Sequence, residues 1–348
     1  MKKTSISIII PAHQVGALLN QCLQSIIDFG NGVKEVILVL DGIPYKQEQL
    51  YLTTVPDLIV ERLAVNRGPA HARNHGVQHA SGDVMFFLDS DVQLLPDTIG
   101  RVKSHFEKSH ATEAIIGSYD KEPYETSLVS KYRNLLHHFT HQTTSEQAAT
   151  FWGACGAIKR DVFNEIGGFN VAFDKPSVED IELGYRLIKA GYTIHLEKHL
   201  QVKHLKKWTV GSMLHTDIFL RARPWTLLLY QRKKLASNDL NLNIEDRLAT
   251  FLLLLGLTNL VLTPFWSEAA ILVITSLVGL ILLKRKIYHF FASQFNFTRL
   301  PFVLMFHWLY LACAFTGFVL GTCDYLRQTR NFRPDAKVVL KNQHKTNS

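Results

Sequence analysis

The sequence predicts an α/β protein with a mostly parallel, helix-covered sheet, followed by interfacial helices and C-terminal transmembrane helices. Three observations predict it. Up to about residue 200, short continuous apolar runs alternate with amphipathic stretches, as strands buried on both faces alternate with the helices that bury them. Leu18, Leu19, Leu23, Ile26 and Ile27 recur at helical spacing between the first two runs, which gives a strand–helix–strand opening. Finally, the apolar residues, 47% of the chain, crowd into 248–323.

The strands are expected at 5–10, 35–40, 58–62, 84–88 and 114–119. The first follows Met1, Lys2 and Lys3 and stops at Pro11, too short for a signal-peptide core and right for a buried strand. Ligands of parallel sheets bind beyond the carboxyl ends of the strands, so the residues just after each run are the ones to inspect.

Beyond 206 the composition changes. Between 207 and 247, Trp208, Met213, Phe219 and Trp225 lie among Arg221, Arg223, Arg232, Lys233 and Lys234, which suits helices in a membrane interface. The stretches 248–266, 269–283 and 302–323 carry no charge and are expected to span a membrane within a region 248–326; 287–300 is expected to be interfacial, and 327–348 a basic tail. Lys284, Arg285, Lys286 and Arg299 place the loop after the second span on the cytoplasmic side, together with the N-terminal part. Three spans would put the equally basic tail on the other side, a conflict that charge alone does not resolve.

The charge of +8 and pI near 9.2 fit a membrane surface better than nucleic acid, because the basic clusters flank the apolar segments. Cys22, Cys155, Cys313 and Cys323 have no metal-type spacing, so neither a zinc site nor a disulfide framework is implied.

Chemistry concentrates in a few stretches. Val84 to Leu88 ends in Asp89 and Asp91, two carboxylates one residue apart at a strand end, suited to Mg²⁺ or Mn²⁺ shared with a diphosphate. The run from Asn66 to Gly76 contains Gly68, which permits close backbone approach, and Arg73, whose donor fork fits phosphate or carboxylate; a plain loop with a surface arginine would read the same way. Asp41, before Gly42, suits either a nucleotide contact or a simple turn. Glu179, Asp180 and Glu182 open a helix with an apolar stripe at Ile181, Tyr185 and Ile188, and the helix dipole alone would favour acids there. His204 is a metal ligand or a membrane-border residue.

Taken in order, these stretches resemble the family-2 glycosyltransferases of the GT-A (Rossmann-like) fold. The matching pieces are Ile8 to His13, Val39 to Gly42, Asn66 to Gly76, Ser81 to Asp91, Gly167 to Phe169, and Glu179–Asp180 followed by Gly184 to Leu187. The resemblance covers 5–208 and implies a catalytic domain at 1–206. It implies that Pro11, Ala12, His13 and Asp41 border the nucleotide, that Asn66, Gly68 and Arg73 lie near it, and that Asp89 and Asp91 hold a divalent metal, Asp91 more directly. Asp180 becomes the general base with Glu179 in support, and Gly153 to Gly156 shape the acceptor site. Leu40 and Ile43 depart from the pattern around the nucleotide base. No Q-x-x-R-W motif is present, and Arg221 to Trp225 only echo it, against a processive synthase.

The function expected is an inverting, metal-assisted transfer from a nucleotide-sugar to a lipid-linked or membrane-associated acceptor. The chain is then a multi-pass protein of a bacterial inner membrane with a cytoplasmic catalytic domain and no nucleic-acid partner. The competing readings are a nucleotide-sugar-binding scaffold or transporter component, and a nucleotidyltransferase or phosphatase. A glycine-rich loop near Pro11 and a threonine in place of Gln93 would favour the last two, and neither is found.

Overall fold

The structure, a computed structural model, describes residues 4–44, 55–108, 112–232 and 243–331. Lys233, Lys234 and the tail from 332 lie outside the described residues.

The N-terminal part runs β1 (Ile6–Ala12), α1 (Ala17–Phe29), β2 (Glu35–Asp41), β3 (Leu58–Leu63), α2 (Pro69–Gln78), β4 (Val84–Leu88), β5 (Val92–Leu94) and α3 (Thr98–Lys108). It continues with β6 (Ala114–Tyr119), α4 (Leu128–Thr143), β7 (Gln147–Ala148), β8 (Cys155–Lys159), α5 (Arg160–Glu165), α6 (Glu179–Lys189) and β9 (Ile194–His204). All the strands join one sheet in the order β3-β2-β1-β4-β8-β6-β9-β5, with β7 also on β9.

The sheet has two characters. From β3 to β4 every pairing is parallel, with Ile8 opposite both Val36 and Phe86. In this half β1, β2 and β4 were legible as continuous apolar runs because both faces are covered, whereas β3, half-buried at the edge, is a run of apolar residues only from Leu58 to Val60, before Glu61 and Arg62. Beyond β4 the pairing is mixed: β8 is antiparallel to β4 and β6, β6 is parallel to β9, and β5 and β7 are antiparallel to β9.

The core of the sheet lies on both faces. On one, Phe87 is fully buried against the rings of Phe151, Phe163 and Phe169, with centroids 5.1–6.0 Å away. Burying a side chain of this size contributes about 1.5–3 kcal/mol, and truncating it to alanine costs about 3–5 kcal/mol. Phe87 therefore fixes the end of β4, and with it the two aspartates that follow. Helix α6 turns Leu183 and Leu187 towards this core, while Tyr185, partnered by Trp225 through a 3.0 Å hydrogen bond, and Ile181 face a smaller cluster with Val178. The apolar stripe expected at Ile181, Tyr185 and Ile188 is thus divided between two surfaces.

After β9 come α7 (Val210–His215), a π-helical segment (Thr216–Ala222), α8 (Arg223–Gln231), α9 (Ile244–Leu262), α10 (Ala269–Leu283), α11 (Arg285–Gln294) and α12 (Leu300–Asn331). Asn243 caps α9 by accepting the amide of Asp246 at 2.7 Å, and Lys284 pairs with Asp246 across the α9–α10 hairpin. Helix α4 joins this helical part to the sheet: Tyr132 and Leu135 are buried with Trp208, Met213, Phe291, Val303 and Phe306. Helix α11, which overlaps the stretch 287–300 expected to be interfacial, buries Ile287, Tyr288 and Phe291 in that cluster.

Among the described residues one helix is long and apolar enough to cross a membrane, at Leu300–Thr329 within α12. Helix α10 is apolar but, at 15 residues, about 22 Å long, short of a hydrocarbon core of about 30 Å. The segment expected to span at 248–266 is interrupted when α9 ends at Leu262.

Candidate active site

The carboxyl ends of β1, β2 and β4 open into one cleft of about 420 Å³. Pro11, Ala12 and His13 line it from β1, and Asp41 from β2. Asp89 and Asp91 line it from the turn after β4, Glu179 and Asp180 from the first turn of α6, and His204 from the end of β9. Asn66, Gly68 and Arg73 complete the wall. These residues are dispersed through the chain and are brought together because parallel strands all end on the same edge of the sheet.

Arg73 is the electrostatic centre. Buried at 4% exposure, it donates from Nη2 to Asp89 Oδ1 at 2.7 Å and from Nη1 to Glu179 Oε1 at 3.0 Å. Its guanidinium also lies 5.2 Å from the Phe169 ring centroid. Burial disfavours the charged form, but the carboxylates of Asp89, Glu179 and Asp180 outweigh it and raise the pKa above the ordinary arginine value. Glu179 accepts a second hydrogen bond from the Ser177 amide at 2.9 Å. A Cβ on Gly153, in the turn before β8, would lie 2.8 Å from the Arg73 guanidinium carbon, so a larger residue there would push the guanidinium away from its carboxylates.

Asp180 is half-buried beside this pair. Its Oδ2 accepts the Gly153 amide at 3.1 Å and its Oδ1 the Ile181 amide at 2.8 Å. Burial, reinforced by the neighbouring Glu179, pushes its pKa up to about 6, against the opposing pull of Gly153 and Arg73. A carboxyl group held near neutrality is suited to exchanging a proton at physiological pH.

Asp41 behaves differently from a free nucleotide contact. Both its oxygens are engaged, Oδ1 by the Arg67 amide and Oδ2 by the Gly68 amide, each at 2.8 Å. Gly68 has φ of 85° and packs so closely on the Asp174 carbonyl that a Cβ would come within 2.3 Å of it. Asp41 therefore braces the loop that starts α2 and carries Arg73 into the cleft.

On the far side, His204 stacks on Tyr119 at 4.2 Å with an interplanar angle of 10°. Burial lowers its pKa to about 3, which keeps the imidazole neutral, the form able to coordinate a cation. Its Nε2 is 3.9 Å from Asp91 Oδ2. Burial raises the Asp91 pKa, with Lys206 and His13 opposing. The carboxylate of Asp91 and the neutral imidazole of His204 are donors of a type that Mn²⁺ accepts, and Asp89 has one oxygen committed to Arg73.

Several cleft residues were not singled out from sequence. Tyr119, His137, His141 and Trp152 form an aromatic wall, with His137 4.0 Å from His141 and 4.6 Å from Trp152 between centroids. The i,i+4 spacing of His137 and His141 on one apolar helix was the signal available. Lys206 lines the same wall, and Arg221 reaches it from the π-helical segment. That segment is tied to α4 by the buried pair of Arg133 with Asp217, at 3.0 Å between Nη1 and Oδ2. Glu182 instead pairs with Arg186 at 2.8 Å, which in turn donates to the carbonyls of Ile166 and Gly168, a structural role.

A sheet of this order, with acidic residues gathered at its parallel strand ends, defines the GT-A class of fold. The chain superposes on the mannosyltransferase PcManGT from Pyrobaculum calidifontis, solved with GDP-Man and Mn²⁺, with a TM-score of 0.53 over 93% of this chain and 87% of that one at 15% identity. Residues 7–167, a little under half of the chain, match the model of Glycosyl transferase family 2. It is 27% identical over 203 residues to the uncharacterized glycosyltransferase YaiP of Escherichia coli (strain K12), covering 56% of this chain and 50% of the relative. It is 23% identical over 216 residues to the poly-beta-1,6-N-acetyl-D-glucosamine synthase of Staphylococcus aureus (strain COL), covering 60% and 52%. The chain thus spans about half the length of these curated relatives.

Proposed function

We propose that this protein is an inverting glycosyltransferase that moves a sugar from a nucleoside-diphosphate sugar to a membrane-associated, lipid-linked acceptor. The observation that carries the reading is the position of Asp180, lodged on the Gly153 amide beside Arg73 and in one cleft with Asp89 and Asp91.

In this reading Asp180 takes the proton of the acceptor hydroxyl as its oxygen attacks the anomeric carbon, and the sugar–phosphate bond breaks on the opposite face. Asp91, His204 and the free oxygen of Asp89 would hold a divalent cation, which when bound offsets the charge developing on the leaving diphosphate. Arg73 keeps Asp89 and Glu179 in place, and Asp41 keeps the Arg73 loop in place. Pro11, Ala12, His13 and Asn66 border the nucleotide.

The membrane part of the proposal rests on α12 and on apolar side chains exposed nearby, among them Phe251 at 60%, Ile274 at 62% and Phe302 at 55%. We assign residues 1–206 to catalysis, 207–247 to an interfacial helical layer and 248–326 to the membrane, with the cleft on the cytoplasmic side. Seating the cleft there brings a lipid-borne hydroxyl to it by geometry. The test incubates purified protein with Mn²⁺, a panel of labelled nucleotide-sugars and extracted membrane lipids. Transfer of label into the lipid phase supports the proposal, and label that enters only water-soluble products overturns its acceptor.

A further inference from the structure

Outside the cleft, two elements that frame it carry a second group of ligand-type side chains. His75 in the last turn of α2 and His79 at its C-cap have ring centroids 4.7 Å apart, and Glu61 faces them from β3, the edge strand of the sheet. His75 Nε2 is 3.3 Å from Glu61 Oε2, His79 Nε2 is 3.6 Å from Glu61 Oε1, and the three ligand atoms lie within 4.8 Å of one another.

His79 Nδ1 lies 3.1 Å from the His75 carbonyl oxygen, which can only accept, so Nδ1 carries the hydrogen and Nε2 is the nitrogen turned towards Glu61. Ligands bound at about 2.0–2.2 Å in a tetrahedron stand roughly 3.3–3.6 Å apart, and three ligand atoms already within 4.8 Å of one another need only small side-chain shifts to reach that spacing. A backbone carbonyl on the second imidazole nitrogen is also how metal-bound histidines are held in one tautomer.

We propose that Glu61, His75 and His79 bind a divalent transition-metal ion of the zinc class. Two imidazoles and one carboxylate select Zn²⁺ over Mg²⁺, and the exposure of His79, at 39% of its side chain, leaves the fourth position to water. The ion clips the edge strand to α2. That helix begins at the Gly68 loop held by Asp41, and its Arg73 lies two residues before His75, so the clip stiffens the wall of the cleft without entering it.

The experiment titrates chelator-stripped full-length protein with Zn²⁺ by calorimetry, with Co²⁺ absorption and thermal melts in parallel. In the presence of excess Mg²⁺, wild type and Asp91→Ala should each bind one Zn²⁺ at this site and melt at higher temperature with it. In His79→Ala and Glu61→Gln the affinity should fall about tenfold or more and the melting shift should vanish. Two variants are used so that a folding defect in one leaves the other to decide. Equal Zn²⁺ affinity in wild type and a folded variant, or loss of binding in Asp91→Ala alone, overturns the site. Neither outcome bears on sugar transfer.

Discussion

The Asp180 carboxylate and the Gly153 amide are joined by a 3.1 Å hydrogen bond that ties the first turn of α6 to the approach to β8. The contact holds one oxygen of the proposed base in a fixed orientation and leaves its other lone pairs to the cleft. Asp180→Asn keeps the shape and removes the basicity. Turnover should fall by about 10²-fold or more while nucleoside-diphosphate affinity, measured by calorimetry, stays within about twofold of wild type. Near-normal turnover would rule out the assignment.

The raised pKa gives a second prediction with a definite sign. Asp180 acts when ionised, so kcat/KM should climb with pH through about 6 and level off above it, and Asp180→Asn should lose that limb. Because the folded-state pKa lies above the ordinary 3.8, the fold binds this proton more tightly than the unfolded chain does. Ionised Asp180 therefore destabilises the fold above about pH 6, and the penalty disappears as pH falls towards the ordinary carboxylate range. Thermal melts should show Asp180→Asn more stable than wild type at pH 8, with the gap closing by pH 4.

Arg73→Met removes the guanidinium from between Asp89 and Glu179. An unpaired buried charge of this kind typically costs about 3–5 kcal/mol, and Glu179, itself buried at 4% exposure, is the group left behind. The urea midpoint should drop accordingly. An unchanged midpoint would mean that Arg73 contributes nothing to the framework.

Chelation tests the metal. Nucleoside-diphosphate affinity should fall about tenfold or more on adding EDTA and again in Asp91→Ala, because the carboxylates and the diphosphate repel one another without a cation between them. Calorimetric titrations with and without Mn²⁺ measure this directly. Equal affinity under both conditions contradicts a metal-dependent donor site.

Asp41 should matter for stability before it matters for specificity. Asp41→Ala takes the carboxylate from the amides of Arg67 and Gly68, of which Gly68 keeps Asn66 Oδ1 at 3.1 Å, at a cost of about 1–3 kcal/mol in all. Denaturant unfolding should show the loss even in the absence of nucleotide. A variant as stable as wild type but weak in nucleotide binding would return Asp41 to the role of a direct contact.

The strands of the parallel half were legible to within two residues: β1, β2 and β4 because a strand covered on both faces has to be a continuous apolar run, and the half-buried edge strand β3 from Leu58 to Val60. Strand β9 was not, although Ile194, Leu196, Leu200 and Val202 are buried along it, because His195, Glu197, Lys198 and Lys203 on and between those positions mask the alternation. Strand β8 was missed because Ile158 is its one large apolar residue, the others being Cys155, Gly156, Ala157 and Lys159. The residues gathered in the cleft were legible as separate motifs, and their meeting was not.

What the sequence determined by itself is the order of apolar runs and the acidic residues that follow them, since burial on both faces and strand-end chemistry leave local marks. What only the tertiary structure decided is which of those groups are committed. Asp41 turned out to hold backbone amides, Asp89 and Glu179 share one buried arginine, Glu61 faces His75 of α2 and His79 at its cap, and among the described residues one helix rather than three has the length and composition of a span. Each of these depends on a partner dozens of residues away or on where a helix ends in the packed structure, and a hydrogen bond or ion pair between distant residues leaves no local pattern to read.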